Sequence, residues 1–375
     1  VEFMAGVMNC DIHLTDKLAV YKRECDRMGI EIVPPCVNRS APTFTVGPGR
    51  IHYALGALKG VGLEAMRLIH DARGDQPFRD IHDLARRTDM KRVGKRPLEM
   101  LARAGAFDGL DDNRARVMKS LDGLVAWSAA VQSQAASSQT SLFVGGEDLP
   151  PPRAPLSGIW LPTEKLGEEH KAVGFYLSGH PLDDYLPALR RKKVMTLAEI
   201  SQDALNGPLV AQIAGTVAAR MERKSAKGTA YAFVSLSDPT GLYEVTVFSD
   251  LLTASRDKLE PGASVVLQVK VEPSGDQVKM LANSVTALED AVADAGAGCL
   301  AVEMQGADTI PRLVEVLTRI RTDIIVPPRS RGPIRLRIRE GDEIIEIEVA
   351  NDAPLTTPAR QALRAVPGVL DVVEE

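Results

Sequence analysis

The spacing of the apolar residues changes at Leu209, and this change constrains the fold more than any other feature of the sequence. Downstream of it, apolar and polar residues alternate in five runs, with one helical stretch, SDLLTASRDKL, between the third and the fourth. Alternation with a period of two is typical of strands that bury one face. The runs are LVAQIAGTV, YAFVSLS, LYEVTVF, ASVVLQVKV and VKMLANSV. Five strands with a helix after the third predict an OB barrel over 207–290.

The last part of the chain, 291–375, carries a second mixed pattern. Its segments follow the order strand, helix, strand, strand, helix, strand, which predicts a small split βαβ (ferredoxin-like) domain. From 299 to 375 there are ten Arg, no Lys, and thirteen Asp or Glu. A net acidic charge argues against a DNA-binding module and favours docking to another protein.

Upstream of Leu209 the apolar spacing is helical, so we predict a multi-domain α+β protein. Pro34 and Pro35 end the first helical region, and a stretch rich in Ala, Ser, Gln, Gly and Pro indicates a linker. The predicted regions are helices at 1–49, a glycine-hairpin region at 50–127, a linker at 128–158 and a helical connector at 159–206. Because the chain opens without Met and already in helical spacing, we expect that an N-terminal part is missing.

Composition excludes several classes of protein. The 375 residues carry a net charge of −5, so the molecule as a whole is not a basic nucleic-acid-binding protein. Four cysteines without a CxxC pair exclude a zinc ribbon and fit a reducing compartment, so we expect a cytoplasmic protein. The six histidines stand singly, which predicts no metal site. With no run of eighteen apolar residues, we expect no membrane partner.

The stretch LGALKGVGLEAMRLI carries the most specific local motif. Two short segments with apolar faces flank Gly60, Val61 and Gly62, and Lys59 stands beside them. Glycines permit a tight turn that leaves backbone N–H groups uncovered, and a helix that starts there directs further N–H groups at the same point. This is the pattern of a helix-hairpin-helix, which binds the DNA backbone without reading bases.

Two other interpretations compete with DNA binding at this motif. Gly60, Gly62 and Ala65 also match a dinucleotide-binding fingerprint, but that fingerprint needs a preceding strand and the approach YALGALK has helical spacing. The second competing interpretation is a helical turn that needs glycine for its backbone shape and binds no ligand. Residues 50–108 carry twelve basic and eight acidic residues, which favours DNA binding. A second basic corner in this region is predicted to bind DNA as well, and the alternative is that it forms a solvated helix face. That corner comprises Lys91, Arg92, Lys95 and Arg96.

Several motifs together resemble the bacterial replicative DNA polymerase III alpha subunit. They are TDKLAVYKRECDRMGIEIVPPCVNRS, YALGALKGVG, PFRDIHDLARR, KRPLEMLARAGAFD and GFYLSGHPLDDY, in the family's order. The resemblance implies the C-terminal part of such a polymerase, from the end of the fingers through the helix-hairpin-helix and OB regions to a C-terminal domain.

The resemblance also says what to expect of catalysis. The family is a DNA-directed DNA polymerase whose palm aspartates bind two metal ions, and no palm motif surrounds Asp11, Asp16 or Asp26. We therefore expect no catalytic residues, no cofactor and no polymerase activity in this segment alone. Magnesium would belong to the missing palm, and the proofreading exonuclease to the missing N-terminal region.

The pentapeptide QTSLF resembles the peptide by which such polymerases hold the sliding clamp, their beta subunit. It lies in the predicted linker and supplies Gln139, Ser141, Leu142 and Phe143. An extended peptide can place a Leu-Phe pair in an apolar pocket of a partner, where few residues supply most of the binding energy. The alternative is that Leu142 and Phe143 dock on this protein's own surface.

The loop between the first two barrel strands predicts a single-strand site. OB barrels bind single strands by stacking bases on aromatic rings beside basic groups. The basic residues are Arg220, Arg223, Lys224 and Lys227, and the aromatic residues just after them are Tyr231 and Phe233. A structural spacer remains the alternative, because residues 207–290 carry eight basic and ten acidic residues.

These observations define one prediction and two alternatives. We predict a segment of a replicative alpha subunit that holds duplex and single-stranded DNA, the sliding clamp and, by its position in the family, the tau subunit of the clamp loader through the C-terminal domain. An error-prone polymerase paralogue is one alternative. A non-catalytic repair factor that combines helix-hairpin-helix and OB modules is the other.

Overall fold

The computed structural model describes residues 1–136, 149–224, 228–274, 277–292, 298–324, 326, 330–340 and 343–374. The chain divides into two compact units, Val1–Ser178 and Gly179–Glu375. Each unit is described separately.

The first unit is helical, with one small sheet. Its strands β1 (Glu31–Val33), β2 (Thr45–Gly47) and β3 (Arg50–His52) lie in the order β1-β3-β2. The prediction that residues 1 to about 34 are helical therefore fails at its end, where Ile32 pairs with Ile51 in a parallel bridge. The helices are α1 (Glu2–Cys10), α2 (Thr15–Arg27), α3 (Leu63–Arg73), α4 (Ile81–Arg87), α5 (Met90–Val93), α6 (Lys95–Arg103), α7 (Arg114–Ala136) and α8 (Pro162–Val173).

Helix α7 extends into the predicted linker. The sequence places the linker from 128, but α7 continues to Ala136. The reason lies at Ser128, whose buried hydroxyl donates to the carbonyl of Thr88 at 2.7 Å and accepts from the N–H of Met90 at 3.2 Å. A serine with both hydrogen bonds satisfied by a neighbouring turn costs little in a helix that is otherwise rich in alanine.

Side chains tie the irregular segments of this unit to its helices. The amide of Asn9 donates to the carbonyl of Phe44 and accepts from its N–H, at 2.9 and 2.8 Å. Asn38 makes the same pair of bonds to Phe78, both at 2.8 Å. Arg87 donates to three carbonyls at the end of α3, including that of Arg73 at 2.7 Å. These bonds fix the segments at Phe44 and Phe78 and the C-terminal end of α3.

The second unit begins with two short helices, α9 (Leu186–Arg191) and α10 (Leu197–Asp203), and contains a closed five-stranded barrel. Its strands lie in the order β4-β5-β6-β8-β7, with helix α11 (Ser249–Ser255) after the third strand. Val234, Val245 and Leu267 are fully buried inside it. The prediction of an OB barrel is confirmed. The strands are β4 (Leu209–Lys224), β5 (Ala230–Asp238), β6 (Gly241–Phe248), β7 (Ser264–Ser274) and β8 (Gln277–Ala287).

The C-terminal domain has the predicted alternation of strands and helices. Helix α12 (Leu288–Val292) follows the barrel, and a four-stranded sheet lies beyond it in the order β11-β10-β9-β12. Its elements are β9 (Leu300–Gln305), α13 (Ile310–Asp323), β10 (Arg331–Glu340), β11 (Glu343–Pro354), α14 (Thr357–Arg364) and β12 (Val369–Glu374). The multi-domain α+β class predicted from the sequence is therefore confirmed.

The predicted split βαβ pairing is wrong. In a split unit the third strand would lie between the first two, but here β9 pairs directly and in parallel with β10. Strand β11 lies at the edge instead, where Glu346 pairs with Arg337 of β10, Oε2 to Nε at 3.0 Å. The exposed acidic residues and the exposed Ile344 suit an edge strand, whereas β9 is almost entirely buried and suits the centre.

Within the described residues, no helix combines the length and the apolar character needed to cross a membrane.

Candidate nucleic-acid interfaces

The predicted glycine hairpin is a tight turn anchored by two buried apolar residues. It follows a short 3-10 turn at Leu55–Ala57, and the N–H of Val61 donates to the carbonyl of Leu58 at 3.2 Å. Leu58 and Val61 are buried, while Lys59, Gly60 and Gly62 are exposed. The turn therefore holds its backbone at the surface while its apolar side chains anchor it in the core.

Helix α3 begins at this turn with an open N-terminus. Its N-cap is Gly62, which has no side chain, so within the described part of the chain no capping side chain serves the first turn of the helix. A Cβ added to Gly62 would meet nothing within 4 Å. Uncovered N–H groups at a helix N-terminus attract anions, and the space beside Gly62 is free.

Arg96 lies against the hairpin. Its Nε would be 3.1 Å, and its Cζ and Nη2 3.3 Å, from a Cβ placed on Gly60. Gly60 also has a φ of +68°, which side chains other than glycine rarely adopt. The turn therefore needs glycine for two reasons, its backbone conformation and the guanidinium that covers it.

Lys59 extends to a different neighbour. Its backbone N–H donates to the carbonyl of Ala172 at 2.8 Å, and its Nζ would be 2.8 Å from a Cβ placed on Gly174. Gly174 is the left-handed C-cap of α8. The ammonium of Lys59 thus lies at the C-terminus of a helix, where the helix dipole favours positive charge. Burial, and then the charge of Lys59, lower the pKa of the nearby His170.

The second basic corner is a second glycine turn. Gly94 has a φ of +92° and separates α5 from α6, and all four basic side chains around it are exposed. Lys95 is paired with Asp122, Nζ to Oδ1 at 2.7 Å, whereas Lys91 and Arg92 lie on α5. The sequence predicts a second DNA-binding corner here, with a solvated helix face as the alternative, and Val93-Gly94 between two helical segments is a visible sign of the turn.

The barrel presents an aromatic cluster on the outer face of β4, β5 and β6. The rings of Tyr231 and Phe233 meet edge to face with centroids 5.5 Å apart, and the guanidinium carbon of Arg223 lies 5.6 Å from the Phe233 centroid. Phe248, which is 55% exposed, extends the cluster, and Met221 lies opposite Phe233 in the β4–β5 pairing. The sequence reasoning missed Phe248, although its alternation with the buried Tyr243, Val245 and Val247 places it outward.

The other basic residues of the predicted single-strand site differ from Arg223. Lys224 ends β4 and is exposed, and Lys227 lies outside the described residues. Arg220 is held by the barrel itself: it donates to the carbonyls of Arg256 and Leu259 at 2.7 and 3.3 Å and pairs with Glu260 at 3.0 Å. Its geometry is that of a structural residue.

Two further predictions from the sequence concern the clamp peptide and metal ions. Gln139, Ser141, Leu142 and Phe143 lie outside the described residues. Among the residues that the structure describes, no group of three or more His, Cys, Asp and Glu side chains could hold a metal ion.

The two folded modules define a class of nucleic-acid-binding proteins. Residues 29–117 match the family described as "Helix-hairpin-helix motif", and residues 213–288 match "OB-fold nucleic acid binding domain". Together these modules indicate DNA binding. The mitochondrial single-stranded DNA binding protein Rim1 of S. cerevisiae is a solved structure with 20% identity and a TM-score of 0.19, over 21% of this chain and 92% of that one.

Proteins that are similar to this chain over most of its length identify its family. The DNA polymerase III subunit alpha of Caulobacter vibrioides is 37% identical over 98% of this chain and 32% of its own length. Those of Neisseria meningitidis serogroup A and Thermus aquaticus are 34% and 35% identical, over 89% and 77% of this chain and 29% and 24% of their own lengths. The chain belongs to the DNA polymerase III alpha subunit family. It spans about a third or less of the length of these curated relatives.

Proposed function

We propose that this chain is the part of a replicative DNA polymerase III alpha subunit that holds DNA during chromosome replication. Duplex DNA binds at the glycine hairpin, and single-stranded DNA binds on the outer face of the barrel. Nucleotidyl transfer belongs to the whole polymerase, which acts in the cytoplasm, and the residues described here contribute by holding its substrate.

The observation that carries the duplex proposal is the open backbone of the hairpin. Exposed Gly60 and Gly62 leave room for a phosphate beside the first N–H groups of α3, and Arg96 adds positive charge next to them. Contacts of this kind bind any sequence, because phosphates carry no base information. They suit a polymerase, which must hold whatever duplex it has just made.

The single-strand proposal rests on the cluster of Tyr231, Phe233 and Phe248. Aromatic rings on the face of an OB barrel accept stacked bases of any type, and Arg223 and Lys224 stand where the backbone would pass. A template strand ahead of a polymerase is such a ligand. Arg220 contributes to this site by supporting the barrel.

Two protein partners complete the proposal. The segment with Gln139, Ser141, Leu142 and Phe143 binds the sliding clamp, on the strength of its resemblance to the clamp-binding peptide. The C-terminal domain, from 291, docks to the tau subunit of the clamp loader, supported by its net acidic composition and its position in the family. The exonuclease contacts a part of the polymerase outside this sequence.

Gly62→Val tests the duplex site without disturbing the fold. The backbone of Gly62 has φ −86° and ψ 145°, which valine adopts readily, and the added side chain enters free space. We expect unchanged unfolding and a roughly tenfold loss of duplex affinity, the value of a hydrogen bond to a charged group. Gly109→Val is the matched control, because Gly109 is also exposed with nothing within 4 Å. Equal binding by Gly62→Val and the control would reject the site.

A further inference from the structure

We infer that the two cations beside the hairpin have different roles: Arg96 contacts the DNA phosphate, and Lys59 is a positioning residue that fixes the turn against the end of α8. The inference rests on the proposed duplex binding and assigns a separate role to each of the two cations at that site. From the sequence, Lys59 is the obvious phosphate ligand because it adjoins the glycines, and Arg96, 37 positions after Lys59, belongs to a separate basic corner.

Arg96 is placed to contact whatever the hairpin binds. Its guanidinium lies over Gly60, within about a van der Waals contact of the backbone that faces solvent, and the side chain is exposed. A guanidinium offers several N–H donors in one plane, which suits two oxygens of a phosphate at once. The N–H groups at the start of α3 and the guanidinium of Arg96 therefore flank one surface.

Lys59 is fixed by its backbone N–H, and its ammonium lies beside the C-cap of α8. The backbone N–H donates to the carbonyl of Ala172, and the ammonium crosses Gly174, at the negative end of α8. Gly174 has a φ of +101° and lacks the Cβ that would block the lysine, so the C-cap leaves room for it. Moving the ammonium to a phosphate would remove it from the helix terminus.

The dependence of duplex affinity on salt separates the two roles. Each phosphate contact by a cation contributes about one unit to the slope of log K against log salt. We expect Arg96→Ala to lower the slope by about one and Arg96→Lys to restore it. Lys59→Met removes the charge and keeps a side chain of similar length. We expect it to weaken duplex binding by the same factor at every salt concentration, with the slope unchanged.

The titration of His170, followed by NMR without DNA, gives a second and independent measurement. Because the charge of Lys59 contributes to the lowered pKa of His170, Lys59→Met should raise that pKa, and Arg96→Ala should leave it where it is. A loss of structure alone would not produce this pair of results.

The possible outcomes are distinct. If Lys59→Met lowers the slope and Arg96→Ala does not, or if Lys59→Met leaves the His170 pKa unchanged, the inference is overturned. If Gly62→Val weakens duplex binding and Arg96→Ala leaves the slope intact, the site stands and the role of Arg96 is wrong. If none of these variants changes duplex binding, the proposed function fails first.

Discussion

Phe248 lies directly opposite Tyr231 in the pairing of β5 with β6, and the centroids of their rings are 6.5 Å apart. The pair places two rings from different strands on one outward face, beside Phe233 on the same strand as Tyr231. Such a surface lets consecutive bases stack on neighbouring rings, which a single exposed aromatic residue could not do.

Removal of either ring should therefore weaken single-strand binding. We expect Phe248→Ala and Tyr231→Ala each to cost about 1–3 kcal/mol in affinity for an oligothymidine, the usual value of one stacked base. Leu242→Ala is the control, because Leu242 is 60% exposed on the same strand as Phe248 but belongs to no aromatic contact described here. Fluorescence anisotropy measures all three. Equal affinities for the Phe248 variant and the control would contradict the role of the cluster.

Arg220 and Arg223 should give opposite results, although they stand three positions apart on one strand. Arg223→Ala should reduce the affinity for single-stranded DNA and lower the salt slope by roughly 0.7, with little change in stability. Arg220→Ala should leave that slope intact and lower the stability of the barrel by about 1.5–3 kcal/mol, because it leaves the acceptors at Arg256, Leu259 and Glu260 without their charged donor.

Hydrogen exchange of the barrel amides gives the stability of each arginine variant, and anisotropy at several salt concentrations gives the slope. A loss of slope in Arg220→Ala with normal exchange would show that Arg220 leaves its carbonyl partners to bind DNA.

The barrel and the hairpin are the parts of the molecule that the sequence predicts. Strict alternation with a helix after the third strand is enough for the barrel, and two glycines between apolar segments are enough for the hairpin. Both features are local: each depends on backbone preferences and on burying one face. For the same reason, the strand order of the C-terminal domain was not predicted correctly, because alternation gives the strands without their partners.

The sequence names Arg96, Arg220 and Arg223 as site residues, but the different role of each depends on tertiary packing. Arg96 reaches Gly60 only because α6 packs beside the hairpin, and no local pattern encodes that approach. Arg220 and Arg223 carry the same charge on the same strand, and the position of the turn Arg256–Leu259 decides which of them the barrel holds. Charge and proximity in sequence therefore predict a basic region, and tertiary packing determines which of its residues belong to the binding site.

Glu289 should make the second unit less stable as the pH rises. Burial raises the pKa of this carboxyl, and the hydroxyl of Tyr185, which donates to it, offsets only part of the effect. A carboxyl with a raised pKa in the folded state contributes stability that is complete below its unfolded pKa, about 4.3, and is lost as the pH rises through the folded value.

Glu289→Gln keeps an acceptor for Tyr185 and removes the titration. We expect the variant to gain stability relative to the parent as the pH rises above about 4.3, with a constant difference once Glu289 is fully ionised. Exchange rates of the barrel amides across this pH range measure the difference. Parallel curves for the two proteins would show that Glu289 titrates as an exposed carboxyl does.

The segment at 139–143 should bind the sliding clamp through Gln139, Leu142 and Phe143. Ordering a peptide costs about 1–2 kcal/mol per residue, and burying each apolar side chain returns roughly 1.5–3 kcal/mol. Since these contributions nearly cancel, we expect an affinity on the order of micromolar for the peptide alone. The double variant Leu142→Ala, Phe143→Ala should then abolish detectable binding in a titration of the chain against the cognate clamp.

Leu156→Ala is the matched control for this titration, because Leu156 is 99% exposed in the chain beyond the peptide and lies outside the motif. Its variant should bind the clamp as the parent does. Both proteins should also unfold as the parent does, which separates loss of the peptide contact from damage to the fold. If the double variant keeps the affinity of the control, the clamp is held by another surface, and docking of the Leu-Phe pair on its own domain becomes the better interpretation.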